Sequence, residues 1–401
     1  MFTRVHQPSV LVTVCAFICC VAAVTQGQTS FAEFQKALNS QQPGGFSETD
    51  FAALQRGESV VKRAPVQDKR EVAVAGLVTL RATAEEFLRS YRESLTKTSN
   101  AAVMEAGSFG AVPALADLQN LTLETRDIDD LKECTVGNCQ IKLSAAMIER
   151  FAREVNWQAP DYAQQATQLF RTMLFEYVTD YRARGDAALI TYGDKSNEVR
   201  LVEAHEALTK ASGYLNDIVG SSSELQPVEE LLIWSKIKFG LKPVIAINHI
   251  TIYKRERELG PQVVAVSKQI YANHYFNSSL ALTAFVTLAG PTSYLVYENR
   301  SLADGLAGPF SKFKRGVVEK KAVEGLKGIL QHSKLTLEAP LLARESATLS
   351  ASPAEGWSRR LFGGVRPLLW FLIISALIAL TVLRNYDGKA GRTAGVKEIE
   401  L

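Results

Sequence analysis

Two adjacent β-like runs carry the residues best suited to orient a polar ligand. The run "KPVIAINHITIYKRE" contains His249 and Tyr253, and the run "QVVAVSKQIYANHYF" contains Lys268, Tyr271 and His274. Imidazole, phenol and ammonium groups all donate hydrogen bonds, and the first two also accept them. Strict alternation puts His249 and Tyr253 on one face of their strand, and Lys268 and His274 on one face of theirs. We predict that these five residues contact a ligand; the alternative is half-buried strand residues with their polar tips at a sheet edge.

The segment "ECTVGNC" contains two cysteines, Cys134 and Cys139, separated by four residues. A thioredoxin-type redox site has two intervening residues, and a zinc site needs further Cys or His ligands, which are not nearby. The remaining cysteines lie in the apolar N-terminal segment. An even pair in an oxidising compartment predicts a structural disulfide between Cys134 and Cys139, and no metal site.

Several motifs that would indicate catalysis are missing or incomplete. "HEALT" begins like the zinc-protease motif HExxH, but its fifth residue is Thr209, so His205 lacks its partner. The sequence contains no GxSxG, no GxxxxGK[ST] and no GxGxxG motif. We therefore predict no catalytic residue, cofactor or metal. The formal net charge of +3, with 22% charged residues, also gives no indication of nucleic-acid binding.

The N-terminus has the layout of a secretory signal peptide. Arg4 precedes an almost uninterrupted apolar stretch from Ser9 to Val24, and small residues follow. We predict a signal peptide over residues 1–27, which places the bulk of the chain outside the cytoplasm. A retained N-terminal membrane anchor is the alternative.

A second apolar segment, "RPLLWFLIISALIALTVLR", occupies residues 366–384 and is uncharged between its terminal arginines. About 20 apolar helical residues cross a hydrocarbon core of about 30 Å. The segment therefore predicts a single transmembrane helix, preceded by a Ser/Ala/Gly/Pro-rich stalk at 339–365. The basic residues of 385–401 favour a cytoplasmic tail. The predicted location is the cell membrane, with one span.

Between these segments the hydrophobic period changes several times. Residues 28–70 predict a leader with two short helices, and residues 71–338 predict an extracytoplasmic domain. That domain opens with a β-rich run that continues into an amphipathic helix, for which Thr83 and Glu86 form a candidate capping box. Residues 144–213 have helical spacing, the runs after them alternate with period two, and an amphipathic helix closes the domain.

This order of elements predicts an α+β fold. We expect a curved antiparallel meander sheet with a long C-terminal helix across it and an inserted helical section at 144–213. The segment around the two cysteines is predicted to form short strands, and "DIDD" at 127–130 to be a solvated turn.

The stretches "VAVAGLVTLRATAEEFL" and "YLVYENRSLADGLAGPFSKFKRGVVEKKAVEGLKGIL" resemble the two ends of START and Bet v 1-like helix-grip domains. That resemblance implies an opening strand followed by helices, and a final helix that closes a cavity over the sheet. The chain also resembles a family of exported, membrane-anchored bacterial proteins in "ECTVGNCQIKLS" and "QIYANHYFNSSL". This second likeness implies a location and no activity.

Together these features predict a membrane-anchored extracytoplasmic domain that binds a lipid-like or other apolar small molecule between sheet and helix. The first alternative is an envelope structural or protein-interaction module, with the helices of 144–213 as the surface that meets an envelope protein. The second is a hydrolase or cyclase with His249 or His274 as general base. The expected partners are thus the membrane and a small molecule, without nucleic acid.

Overall fold

The computed structural model describes residues 30–41, 45–96, 102–220, 227–238, 242–257, 260–288, 292–306 and 311–350. These ranges form an α+β fold with a large antiparallel sheet and a long C-terminal helix. The predicted signal peptide, transmembrane segment and cytoplasmic tail lie outside the described residues. Within the described ranges, no helix combines the length and the hydropathy needed to cross a membrane.

The strands of the described ranges form two antiparallel sheets. They are β1 (Val60–Arg63), β2 (Glu71–Leu80), β3 (Val103–Ser108), β4 (Thr191–Tyr192), β5 (Val199–Arg200), β6 (Pro227–Ile237), β7 (Val244–Arg257), β8 (Gly260–Ala272), β9 (Phe276–Thr287) and β10 (Ser293–Ala303). The large sheet has the order β1-β2-β10-β9-β8-β7-β6-β3, and β4 pairs with β5. The expected meander is therefore present from β6 to β10, with the opening strand β2 beside the last strand.

The helices cover both faces of this sheet. They are α1 (Phe31–Gln41), α2 (Glu48–Gln55), α3 (Ala84–Thr96), α4 (Thr125–Lys132), α5 (Ala145–Glu154), α6 (Tyr162–Arg184), α7 (Leu201–Lys210), α8 (Gly213–Gly220) and α9 (Ser311–Ser350). The predicted capping box of α3 is confirmed, because the Thr83 amide donates to Glu86 and the Glu86 amide donates to the Thr83 hydroxyl.

Helices α3 and α9 pack on one face of the sheet. Leu326 and Leu330 of α9 are fully buried against β2. A Cβ atom built on Gly76 would lie 2.7 Å from the Leu330 Cδ1 atom, so glycine permits the close approach of strand and helix. Side chains at alternate positions of β7, among them Ile250 and Ile252, complete this core.

The opposite face of the sheet is covered by two groups of helices. Phe34 of α1, Phe51 of α2 and Leu208 of α7 belong to a core built on β2, β8, β9 and β10. The helices α4, α5 and α6 form a second core on β6, β7 and β8, in which Phe170 contacts Tyr271 with 6.2 Å between ring centroids. The predicted leader is thus packed on the sheet, and the predicted helices of 144–213 are present.

Two local predictions differ from the structure. "DIDD" lies on α4 rather than in a solvated turn, because Ile128 and Leu131 are spaced to share one helix face and both are buried. Asp127 is also buried, where it is paired with His274. The predicted stalk starts as helix, since α9 continues to Ser350 through residues rich in alanine and leucine, which favour helix.

The predicted disulfide between Cys134 and Cys139 is present in the structure. It closes a tight turn in which Thr135 and Asn138 exchange backbone hydrogen bonds as an isolated antiparallel bridge, instead of the short strands expected around the cysteines. Gly137 has a φ of +81°, a conformation that glycine adopts without strain. The amide of Cys139 donates to the Asp194 carbonyl, so the turn also joins α4 to the segment before β5.

Candidate functional site

A cavity of about 490 Å³ lies between α7 and the sheet, on the face opposite α9. Its sheet wall is formed by alternate residues of β7 and by neighbouring residues of β8 and β9. Its helix wall is formed by α7, and its rim includes residues from the turn after α6 and from β6. The lining includes Asp186, Val202, His205, Glu206, Lys210, Glu230, His249, Tyr253, Val266, Lys268 and Leu280.

The cavity brings together three of the five predicted ligand contacts. His249 and Tyr253 lie on the same face of β7, and Lys268 of β8 is the register partner of His249. Tyr271 is buried in the core under α6, where its hydroxyl donates to the Lys142 carbonyl. His274 does not share the face of Lys268, because β8 ends at Ala272 and His274 lies in the turn to β9.

His205 lies on the buried face of α7, and its Nε2 atom is 3.0 Å from the Gln269 carbonyl oxygen. A carbonyl only accepts hydrogen bonds, so Nε2 carries the proton and Nδ1 is left with a lone pair. Among the described residues, the buried Nδ1 atom has no hydrogen-bond partner. Burial, followed by the nearby positive charge of Lys268, lowers the pKa of His205 to about 3. The ring is therefore neutral at pH 7.

His249 is held by Tyr181 of α6, whose hydroxyl lies 2.9 Å from His249 Nδ1. The two rings meet edge to face, with centroids 5.5 Å apart. Within the described chain, the buried Nε2 atom has no hydrogen-bond partner, and the nearest oxygen of Glu230 is 3.9 Å away. Burial first, then Lys268 and Arg182, lower the pKa of His249 to about 4. This imidazole is also neutral at pH 7.

The charged groups of the lining are mostly paired with one another. The Lys268 ammonium lies 2.6 Å from Asp186, and Lys210 lies 3.5 Å from Glu206. Glu230 lies 3.7 Å from Arg182, behind the rim. Val202, Val266 and Leu280 supply an apolar part of the wall. The cavity lining therefore combines apolar side chains with two neutral imidazoles and paired charges.

His274 lies outside the cavity and is paired with a carboxylate. Its Nε2 atom is 3.0 Å from Asp127, and its Nδ1 atom is 3.2 Å from the Gln140 carbonyl. Both ring nitrogens thus face acceptors, and both side chains are buried. This pair ties α4 and the disulfide turn to the sheet, and neither nitrogen is free to take a proton from a substrate.

His205, Asp186 and Glu230 are cavity residues that the sequence reasoning missed as ligand contacts. For His205 a signal existed, because Leu201, Ala204 and His205 follow helical spacing and are all buried. That pattern predicts an inward-facing histidine even though the HExxH motif is incomplete. Asp186 and Glu230 gave no such signal, since their position depends on contacts between distant segments.

Comparison with family models, with curated proteins and with solved structures finds no significant match to this chain. Of the described residues, no group of three or more His, Cys, Asp and Glu side chains is arranged to hold a metal ion. The chemistry of the cavity must therefore be argued from its own residues.

Proposed function

We propose that this protein is a membrane-anchored extracytoplasmic domain that holds a lipid-like or other amphipathic small molecule in the cavity under α7. The observation that carries the proposal is the convergence of His249, Tyr253 and Lys268 on one cavity of about 490 Å³. Binding sites for small molecules commonly measure about 300–1,000 Å³. The membrane anchor rests on the apolar segment at 366–384.

The lining supports an amphipathic ligand. Val202, Val266 and Leu280 offer apolar surface for a hydrocarbon portion, and His205 and His249 offer polar groups. Pockets of this kind combine an apolar wall with a few polar groups that fix the orientation of the ligand. Burying one methylene group of a chain contributes about 0.8 kcal/mol.

The resemblance to helix-grip domains supports the class of function but implies a different position for the ligand. It implies a cavity beneath the final helix, whereas the cavity lined by His249, Tyr253 and Lys268 lies on the opposite face of the sheet. Beneath α9, Leu326 and Leu330 are packed onto Gly76 without space for a Cβ atom. The proposed ligand therefore lies under α7.

The two alternatives receive less support from the described residues. An interaction module that uses residues 144–213 needs exposed apolar side chains there. The most exposed large apolar side chains in the described chain are Val112, Phe313 and Leu335, all outside that segment. A hydrolase that uses His274 needs a free ring nitrogen, and both nitrogens are engaged by Asp127 and Gln140.

Native mass spectrometry of the full chain, purified by the secretory route and released from detergent micelles, tests the proposal. We expect a co-purified adduct of lipid size that is lost when the protein unfolds. Val202→Trp should strongly reduce the adduct, since the indole would occupy part of the cavity from its half-buried wall. Val112→Trp is the matched control, because Val112 is 84% exposed and lies outside the cavity.

A clean mass after incubation with total membrane lipids would refute the proposal. An adduct that persists unchanged in Val202→Trp would also contradict it, because the ligand would then lie elsewhere.

A further inference from the structure

The hydrogen-bonding states of the two cavity histidines indicate which kind of head group the cavity would take. His205 donates its Nε2 proton to the Gln269 carbonyl, so its Nδ1 lone pair is an acceptor without a partner among the described residues. His205 is 95% buried, with a relative exposure of 5%. A buried acceptor without a partner is unfavourable, and a ligand hydroxyl or amine proton would satisfy it.

His249 has the complementary state. The Tyr181 hydroxyl has a proton to donate, and His249 Nδ1 at 2.9 Å is the acceptor within its reach among the described residues. The proton of this neutral imidazole is then on Nε2. That Nε2–H group is buried and lacks a partner in the described chain, since Glu230 at 3.9 Å is beyond hydrogen-bond distance. His249 therefore offers a donor, where His205 offers an acceptor.

The charges around the two rings disfavour a charged head group. Lys268 is already paired with Asp186 at 2.6 Å, and Lys210 is paired with Glu206 at 3.5 Å. An anion would meet the carboxylates of these pairs and of Glu230 near the rim. A cation would meet Lys268 and the proton that His249 presents, and the carboxylates that could attract it are already paired with Lys268, Lys210 and Arg182. An uncharged group avoids both repulsions and the desolvation of a charge.

We propose that the cavity is selective for an uncharged amphiphile with a hydroxyl head, whose O–H donates to His205 Nδ1 and whose oxygen accepts from His249 Nε2. A hydroxyl group can donate one hydrogen bond and accept another, whereas an ether or a carboxylate can only accept. The inference rests on the proposed function, because it names the ligand class of the same cavity.

Four ligands with the same ten-carbon chain test the selectivity. We would titrate 1-decanol, 1-methoxydecane, decanoate and decylammonium into the full chain in amphipol at pH 7 by calorimetry. We expect decanol to bind at least about tenfold more tightly than each of the others. The ether is the sharpest comparison, because it keeps an acceptor oxygen and loses only the donated proton.

Variants of the protein provide the second arm of the test. His205→Leu and His249→Leu should each weaken decanol binding about tenfold. Each should also reduce the ratio between the affinity for decanol and the affinity for 1-methoxydecane or decanoate. His332→Gln is the matched control, because His332 is a half-buried histidine on α9, hydrogen-bonded to Thr336 and outside the cavity. We expect it to bind decanol like the unchanged protein.

The outcomes separate this inference from the proposed function. If decanoate, decylammonium or the ether binds as tightly as decanol, and Val202→Trp abolishes that binding, the cavity binds a ligand but the hydroxyl selectivity is refuted. If none of the four ligands binds, the inference is refuted together with a lipid-like ligand as proposed. The ligand series requires no variant, so it remains decisive even if a leucine substitution prevents folding.

Discussion

At the scale of single residues, the partner of each histidine determines what that histidine can do. His274, His205 and His249 are all largely buried on or beside the same sheet. His274 has an acceptor at each ring nitrogen and joins Asp127 to the disulfide turn. His205 and His249 each have one nitrogen engaged and one left over, and both line the cavity. Only the latter two have hydrogen-bonding capacity to offer a ligand.

The lowered pKa values of the cavity histidines predict a loss of stability in acid. Burial lowers the pKa of His249 to about 4 and of His205 to about 3, against 6.5 in the unfolded chain. Well above pH 6.5 each of these imidazoles is uncharged in both the folded and the unfolded chain. As the pH falls below 6.5, the imidazoles of the unfolded chain bind protons, whereas those of the folded chain do not. Each histidine then reduces the free energy of unfolding by about 1.4 kcal/mol per pH unit.

Denaturant unfolding of the full chain in detergent from pH 7 to 4.5 checks this dependence. His205→Gln and His249→Gln should each remove about 1.4 kcal/mol per pH unit from the slope below pH 6. An unchanged slope in both variants would show that the two imidazoles bind protons as readily in the folded chain as in the unfolded chain, which contradicts the lowered pKa values.

The buried charge cluster on β10 makes a second prediction at this scale. Arg300 is fully buried, donating to Glu71 at 2.5 Å and to Glu298 at 2.7 Å. Arg300→Met leaves these carboxylates buried without their counter-ion, which should lower the free energy of unfolding by about 3–5 kcal/mol. The exposed pair of Arg56 and Glu58 is the control, and Arg56→Met should cost less than about 1 kcal/mol. If Arg300→Met and Arg56→Met lowered the free energy of unfolding by equal amounts, the result would contradict this account.

At the scale of elements, the sequence predicts what depends on near neighbours and fails where distant contacts decide. The α3 capping box needs only Thr83 and Glu86, three residues apart, and it is confirmed. Asp127, by contrast, contacts His274 across 147 positions of the chain. No local pattern indicates that pairing, so "DIDD" was predicted as a solvated turn instead of a partly buried helix. For His205 the local helical spacing indicates an inward-facing side chain, but its place in the cavity depends on how α7 packs on the sheet.

The packing of α9 on β2 predicts opposite effects for two glycines. Gly76→Val should destabilise the protein by about 1–3 kcal/mol, because its side chain would overlap Leu330 and Leu326. Gly328→Ala on α9 should stabilise it by about 0.5–1 kcal/mol, since open space surrounds that position and alanine favours helix. Thermal unfolding of both variants is the measurement. A tolerated valine at position 76 would mean that the helix does not approach the strand this closely.

The disulfide turn gives a modest stability prediction. Because the loop between Cys134 and Cys139 is short, the chain-entropy model assigns the disulfide only about 2 kcal/mol. The double variant Cys134→Ser with Cys139→Ser should therefore fold and still bind the proposed ligand, with a free energy of unfolding lower by about that amount. The intact mass of the unchanged protein should be two hydrogens below that of the reduced chain. A mass equal to that of the reduced chain would rule out the disulfide.

At the scale of the whole molecule, the sheet is covered on both faces, and this arrangement decides where a ligand can lie. The meander, the opening strand and the long last helix were predicted from periodicity and order, and they are present. Which helices cover which face was not predictable, since alternation along a strand defines two faces without saying what covers them. The helix-grip resemblance implies a cavity beneath α9, whereas three of the five residues predicted as contacts line the cavity under α7.

Photolabelling tests the position of the ligand most directly. A ten-carbon alcohol with a diazirine in its chain would be bound to the full chain in amphipol, irradiated, and mapped by peptide mass spectrometry. We predict labels on α7 and on residues 249–253 and 264–268 of the sheet, which competing decanol removes and Val202→Trp prevents. Labels confined to α3 and α9 would place the ligand on the other face of the sheet and contradict the account.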